Sequence, residues 1–257
     1  MEKISACMIT YNNEWTVENA LKSVKNWADE IIIVDSFSND KTLEIARKYT
    51  NNIEQRAWPG FRDQYDYCCQ KANNDWVVFI DADEVISPEL ASEIQEKINN
   101  DAGKYFGYIV HRRTFYLGRW IMHGGWVPDY KVRIYRKSKG NFEGLMHTKV
   151  HVRGKVDWLK NYFQHYTYRD IADQIDTIND YSDTASRDMF NAGKIFSCIN
   201  LLFRPMFRFI KEYIFKRGYK DGMPGLVIIV STMYYVFIKY AKLWELQKSS
   251  SIRETKR

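Results

Sequence analysis

The chain has 257 residues, 45% of them hydrophobic, 16% aromatic and 27% charged, with a formal net charge of +6. That length can bury a substantial core, and so aromatic a composition excludes a wholly disordered chain. Four cysteines, Cys7, Cys68, Cys69 and Cys198, lack metal-type spacing and are too few for a disulfide scaffold, so a reducing compartment is expected.

The opening residues show no basic region followed by a long apolar stretch, so a cytoplasmic protein is expected. Residues 4–9 form a short apolar run, and 15–27 place Val17, Ala20, Leu21 and Val24 at helical spacing. Residues 30–35 hold the continuous β-branched run Ile31-Ile32-Ile33-Val34, which suits a buried parallel strand. A helix at 42–49, a short strand at 52–55 and a helix at 61–72 follow. The strongly apolar strand 76–80 ends at Asp81, and Ser87 then caps a helix with Pro88 in its first turn, running to Asn99. Such alternation predicts an α/β fold, a mostly parallel sheet flanked by helices, with ligands beyond the carboxyl ends of the strands. The segments lying there are 10–14, 35–40 and 81–84.

From 105 to 165 the texture changes to short aromatic strands, expected at 105–115, 131–136 and 149–156, and a polar helix covers 170–192. Past Gly193 the composition shifts again. Residues 194–257 hold 13 Lys and Arg against 4 Asp and Glu, while the rest of the chain holds 25 against 28. The expected organisation is an α/β domain at 1–193, made of halves 1–104 and 105–193, followed by a basic helical region at 194–257. Leu202, Met206, Phe209 and Tyr213 form one helical stripe there and Arg204, Arg208 and Lys211 another, with Pro205 starting or kinking the helix. The apolar run 223–238 falls short of the ~20 residues a spanning helix needs, and Lys239, Lys242 and Trp244 follow it. This pattern suits helices lying in an anionic membrane interface with cations toward lipid phosphates, or helices packed on the domain or in a homodimer. Nucleic acid is disfavoured as a partner, because the positive residues alternate with a continuous apolar face.

No dinucleotide fingerprint, P-loop or nucleophile elbow is present. The positive feature is Phe79-Ile80-Asp81-Ala82-Asp83-Glu84. Two carboxylates one residue apart at a strand end can hold a divalent cation with positions open for phosphate oxygens. As a plain turn, the same residues would cap the next helix. Asp35, ending another buried strand, is a candidate acceptor for a base or ribose, while Ser38, Asn39 and Asp40 are placed to cap the following helix. Thr10-Tyr11-Asn12-Asn13-Glu14 reads as a turn in which Tyr11 could stack on a nucleobase.

Taken together and in order, these residues resemble the inverting family 2 glycosyltransferases of GT-A fold, and most nearly the WaaE-like lipopolysaccharide core branch. The likeness runs through Ile9 to Glu14, Val34 to Thr42, Trp58-Pro59-Gly60-Phe61 and Asp75 to Glu84. It continues through His165-Tyr166-Thr167-Tyr168-Arg169-Asp170 and Tyr219-Lys220-Asp221-Gly222 with Gly225. It implies transfer of a sugar from a nucleotide-sugar donor, a UDP-sugar above all, to a glycolipid acceptor at the inner face of the bacterial cytoplasmic membrane. Thr10, Tyr11, Asn12, Glu14, Asp35, Arg62, Asp81, Ala82 and Asp83 would bind the donor. Asp81, Asp83 and His165 would hold a divalent cation, Mg²⁺ or Mn²⁺. For His165, as for His147, a hydrogen-bonded structural role is the other reading.

Two departures from the family pattern stand out. Relatives carry a His-Glu pair where this chain has His147-Thr148, and a threonine is a poor base, so Asp129 and Glu143 become the candidate bases beside Asp83 as the catalytic carboxylate. Relatives also carry Gln-Lys-Asn where this chain has Gln64-Tyr65-Asp66, which would leave Arg62 or Lys71 to supply the phosphate-binding charge. These departures favour the alternative, a non-catalytic nucleotide- or glycan-binding module docked at the membrane.

Overall fold

The structure, a computed structural model, describes residues 1–100, 103–144 and 148–255. They form two compact units, Met1–Thr114 with Asp129–Tyr166, and Phe115–Pro128 with Thr167–Arg257.

In the first unit, β1 (Ile4–Thr10), β2 (Glu30–Asp35), β3 (Ile53–Gln55) and β4 (Trp76–Asp81) lie parallel in the order β3-β2-β1-β4. Helices α1 (Val17–Lys25), α2 (Thr42–Ala46) and α3 (Phe61–Gln70) connect them. Every residue of β1 is buried, because helices cover the sheet on both faces, and its two polar residues, Ser5 and Thr10, bond Glu30 and Asp35. On one face Met8, Ile33, Val78 and Ile80 meet Leu21 and Val24 of α1, and Leu90 and Ile94 of α4 (Pro88–Asn100). On the other, Cys7, Val34, Val77 and Phe79 meet Cys68 and Cys69 of α3. These elements match the sequence expectation to within a few residues. This parallel, helix-flanked part is the one expected of a GT-A fold, but the strands that follow make the whole sheet mixed and not mostly parallel.

The remaining strands are β5 (Glu84–Ile86), β6 (Gly107–Tyr116), β7 (Arg119–Trp120), β8 (Tyr130–Arg136), β9 (Gly140–Glu143), β10 (Lys149–Val152) and β11 (Val156–His165). β8 runs antiparallel to both β4 and β6, and β11 runs parallel to β6 and antiparallel to β5. β9 and β10 make a separate hairpin whose Phe142 joins the Phe79 core. Sequence reading passed over β5 and β11. In β11 buried Leu159, Phe163 and His165 keep the two-residue period, but polar Asn161 and His165 mask it in the sequence, and the pairing register shifts between Trp158 and Tyr162.

In the second unit, α5 (Ile171–Asn191) begins at Asp170, whose carboxylate accepts from the Asp173 amide. α6 (Cys198–Phe209) runs on into a π-helical turn, Ile210–Phe215, and a 3-10 turn, Gly218–Asp221, leads into α7 (Gly222–Thr255). Pro205 lies inside α6, not at its start. The apolar run expected to stop at 238 belongs to a helix that continues unbroken, and α7 is by length and composition able to cross a membrane. Its lysines do not end it, because Lys242 turns onto α5, bonding Asn179 Oδ1 (2.7 Å), Ser182 Oγ (2.8 Å) and Asp183 (2.7 Å). Lys239 lies over the rings of Tyr235 and Tyr240. Lys242 is therefore spoken for inside the protein and not aimed at lipid phosphates. This α5–α7 seam also puts the polar helix in the second unit, upstream of the compositional change at Gly193.

The Lys220-Asp221-Gly222 motif ties this unit together. Buried Asp221 accepts from the amides of Met122 (3.0 Å) and His123 (2.7 Å) and lies 3.1 Å from His123 Nδ1. Gly222 has φ +63, and a Cβ on Gly225 would stand 2.2 Å from the Gly218 carbonyl oxygen, so neither position takes a side chain easily.

Candidate active site

Two loops at the carboxyl ends of β1 and β2 are laced to each other. Asn12, in the left-handed region at φ 53, donates its amide to Ser38 Oγ (2.9 Å) and accepts from the Asn39 amide (2.9 Å). The Asn13 amide reaches Thr42 Oγ1, the Glu14 amide reaches Asp40, and Glu14 accepts from the Lys41 amide. Asp35 lies beneath this lacing, fully buried. Thr10 Oγ1 (2.9 Å) and Ser38 Oγ donate to one of its oxygens, and the Ser38 amide (2.8 Å) and Gln55 Nε2 (3.3 Å) donate to the other. Its acceptor capacity is taken up internally, so it organises the loop. Tyr11 stands 57% exposed above it and Phe37, at φ 60, is 56% exposed. A bulky residue in that conformation is uncommon, and Phe37 is a candidate that the sequence did not single out.

The Asp81-Ala82-Asp83-Glu84 turn is built on a buried ionic network. Arg133, 8% exposed, donates through Nη2 to Asp81 Oδ2 and to Glu84 Oε1 (2.7 Å). Arg112 donates to Glu84 Oε1 (3.3 Å) and holds Asp129 through Nε (2.7 Å) and Nη2 (2.6 Å). Glu84 Oε2 accepts from the Asp81 amide (3.1 Å). Tyr65 donates its hydroxyl to Asp81 Oδ1 (3.2 Å) and packs edge-on to Phe79. Burial alone would raise the Glu84 carboxyl, but Arg133 and Arg112 outweigh it and hold the group below its ordinary value. Asp129 behaves alike: burial opposes, and Arg112 with Lys131 brings it down. Burial and the Asp81 charge push the Tyr65 phenol well up.

Asp83 is differently placed. Its Oδ2 lies 3.2 Å from His165 Nε2, and its Oδ1 is buried with no hydrogen-bond partner among the described residues. His165 Nδ1 is 3.1 Å from Thr114 Oγ1. As the groups stand, Nε2–H donates to Asp83 Oδ2 and Nδ1 accepts from the Thr114 hydroxyl, and the other tautomer would free Nε2 for a metal ion. Nε2 and the unpartnered Asp83 oxygen could then serve a divalent cation, although an imidazole suits zinc, iron or nickel better than magnesium or manganese. Of the three side chains expected to hold the cation, Asp83 and His165 stand together, while Asp81 accepts from Arg133 and Tyr65. Among the described residues no three His, Cys, Asp or Glu side chains converge on one point. His147 lies outside the described residues.

Of the cations expected to meet phosphate, Arg62 pairs with its neighbour Asp63 (2.8 Å) and Lys71 with Glu54 (2.9 Å), both at the surface, and Arg133 and Arg112 stand at the Asp81 turn. Ala82 is buried in the turn itself. Glu143 is exposed on β9, with Asn141 Nδ2 3.2 Å away and His151 Nδ1 at 3.8 Å. Arg133 and Glu84 were legible in principle, since an arginine inside the apolar run Val132-Arg133-Ile134-Tyr135 demands a buried partner.

Comparison with known proteins followed these observations. A family model described as glycosyl transferase family 2 matches residues 5–159. The uncharacterized glycosyltransferase RT0209 of Rickettsia typhi is 30% identical, covering 97% of this chain and 89% of its own length. RC0292 of Rickettsia conorii, also an uncharacterized glycosyltransferase, is 30% identical, covering 97% and 91%. Among solved structures, S. aureus TarS 1–349 is 18% identical with a TM-score of 0.47, covering 70% of this chain and 64%, less than two thirds, of that one.

Proposed function

The chain belongs to glycosyl transferase family 2, and on that premise we propose that it transfers a sugar from a nucleotide-sugar donor, a UDP-sugar in the first instance, to a lipid-linked saccharide acceptor. The product would be a cell-envelope glycan of the lipopolysaccharide core type. The observation that carries this reading is Asp83, with a buried, unpartnered oxygen beside His165 at the carboxyl edge of the sheet. Asp83 and His165 would hold a divalent cation, Mg²⁺ or Mn²⁺, which neutralises charge on a departing nucleoside diphosphate. Tyr11 and Phe37, exposed beside the laced loops, would stack on the base.

Inverting transfer is a direct displacement. The acceptor hydroxyl attacks the anomeric carbon, the bond to the diphosphate oxygen breaks, and a carboxylate takes the hydroxyl proton. Asp129 is clamped by Arg112 and held in its weakly basic form. Glu143, exposed and loosely paired, is the better base, and it stands beside Phe142, whose ring meets Tyr65. A base in that role contributes about 10²–10⁴-fold. On this reading Glu143→Gln lowers kcat by such a factor and leaves donor binding intact, whereas Asp129→Asn costs mainly stability.

The membrane side of the reading rests on α6 and the turn after it, where Leu202, Phe203, Met206, Phe207, Ile210 and Phe215 are exposed among basic residues. These residues suit an anionic bilayer surface at the cytoplasmic face, where a lipid-linked acceptor would lie.

The deciding experiment is donor turnover by the full chain with UDP-glucose and UDP-N-acetylglucosamine in Mn²⁺, wild type against Asp83→Asn. Loss of about 10²–10³-fold with unchanged thermal stability is expected. Turnover equal to wild type would overturn the assignment.

A further inference from the structure

The strands of the sheet unit present alternate residues to two faces. On β6, Tyr108 and Val110 enter the core shared with α1 and α4, so His111 and Arg113 point to the opposite face. On β4, Val78 and Ile80 enter that same core, which leaves Phe79 and Asp81 on the face that His111 and Arg113 share. Tyr130 of β8 and Tyr162 of β11 both stand opposite His111 in register. The His111 and Tyr130 ring centres are 5.2 Å apart, and the Arg113 guanidinium lies 3.7 Å over the Tyr162 ring. Trp158 meets Tyr130 edge to face, with centroids 5.0 Å apart and planes at 89°.

Two properties of this cluster are unusual together. Tyr130 and Trp158 are each 52% exposed, so a broad aromatic surface faces water. At its rim, His111 Nε2 and Arg113 Nε are buried without hydrogen-bond partners among the described residues. Burial and the Arg113 charge, against the opposing pull of Asp129, hold the His111 imidazole below its ordinary value, so the ring is neutral near pH 7. A ligand that completes this surface needs an apolar flank for the rings and a polar edge that both donates and accepts. A pyranose has both, its C–H bonds on one side and its hydroxyls around the rim.

We propose that this face is a subsite for a sugar ring of the acceptor, stacked on one of the two perpendicular rings of Tyr130 and Trp158 with the other at its edge, and with its hydroxyls turned toward the His111–Arg113 side of the cluster. The subsite rests on the reading of the chain as a transferase acting on a saccharide acceptor, and it specifies where that saccharide is held. Its position in the chain suits the role. Asp129 immediately precedes Tyr130, and Arg112, which ties Asp129 to Glu84, lies between His111 and Arg113. The subsite borders that ionic network along β6 and β8, and the Asp129 charge acts on the His111 ring.

The test is saturation-transfer NMR on the full chain with methyl glycosides of the common hexoses and N-acetylhexosamines. Tyr130→Ala, Trp158→Ala, Tyr130→Phe and Trp158→Phe are run beside wild type, and UDP-sugar binding is measured calorimetrically on each sample. Saturable glycoside binding in wild type is expected. It weakens about tenfold in each alanine variant, about 1.4 kcal/mol, is largely kept by the phenylalanine variants, and donor affinity does not change. Both residues are half exposed, so unchanged circular dichroism in the variants is expected alongside. Glycoside binding equal in wild type and alanine variants overturns the subsite. Donor binding with no glycoside saturation also overturns it and leaves the transferase reading standing. Glycoside saturation without donor binding supports the subsite and overturns the donor assignment.

Discussion

The sheet unit drives charge inward, whereas the helical unit turns carbon outward. Asp35, Glu84 and Arg133 are each under a tenth exposed, and each bonds donors or acceptors of its own unit, with Arg133 Nε the one buried polar side-chain atom of the three left without a partner among the described residues. In α6 and the turn after it, Phe203, Phe207 and Phe215 are about two thirds exposed or more. A buried ionic network is seldom a net source of stability, because desolvation cancels most of the attraction, so its value lies in the geometry it imposes. Exposed aromatic residues on consecutive helical turns give no stability to the isolated chain either, and their value lies in what they touch. The first unit therefore reads as a scaffold for chemistry and the second as a surface for attachment.

The largest effect that would break this contrast is on attachment. Changing Phe203, Phe207 and Ile210 together to Ser in the full chain should lower partition into anionic vesicles by about 10³-fold, from the apolar transfer energy lost. Co-sedimentation unchanged from wild type would mean that these residues serve something other than a bilayer. Point changes are preferable to deletion after Gly193, because α5 rests on α7 and a deletion would uncover it. Next in size, Arg133→Met should destabilise the sheet unit by about 3–5 kcal/mol in urea unfolding, because it leaves Asp81 and Glu84 without their buried cation. Adding Glu84→Gln to that variant should restore part of the loss. Gly225→Ala tests the helical unit alone, and a cost of about 1–3 kcal/mol is expected from the clash with the Gly218 carbonyl. The smallest effect is on pH dependence. Glu84 and Asp129 titrate below their unfolded values, so their contribution is complete above the unfolded carboxylate range, near pH 4–4.5, and is lost as pH falls through the lower folded values. Acid unfolding followed by circular dichroism should start at a higher pH in Glu84→Gln if some other group carries the transition, and should be blunted if Glu84 carries it.

The parts of the molecule legible in the sequence are those set by local periodicity. β1, β2, β4 and α4 follow from apolar runs and a Ser87-Pro88 start, and the ligand edge follows from where those strands end. Asp83 and His165, both singled out in the sequence, stand 3.2 Å apart. What sequence reading missed depends on partners far along the chain. Asp81 looks free in the string Asp81-Ala82-Asp83, and only the crossing of β8 beside β4 delivers Arg133 to it, 52 residues away. Lys239 and Lys242 look like the end of an apolar segment, yet the first lies over aromatic rings and the second bonds α5, so α7 carries on past both. β11 was hidden by polar Asn161 and His165, which mask its two-residue period, and Tyr130 and Trp158, 28 positions apart, meet only through that strand.

Glu84 has one more consequence. With one oxygen on the Asp81 amide and the other shared by two guanidinium groups, it pins the turn that carries Asp83 from below. On the proposed reading, negative charge builds on a departing diphosphate, and a loosely hung loop would shift in response. A turn anchored by two arginines has little room to shift, so the position of Asp83, and of anything it holds, would be set before such a reaction starts.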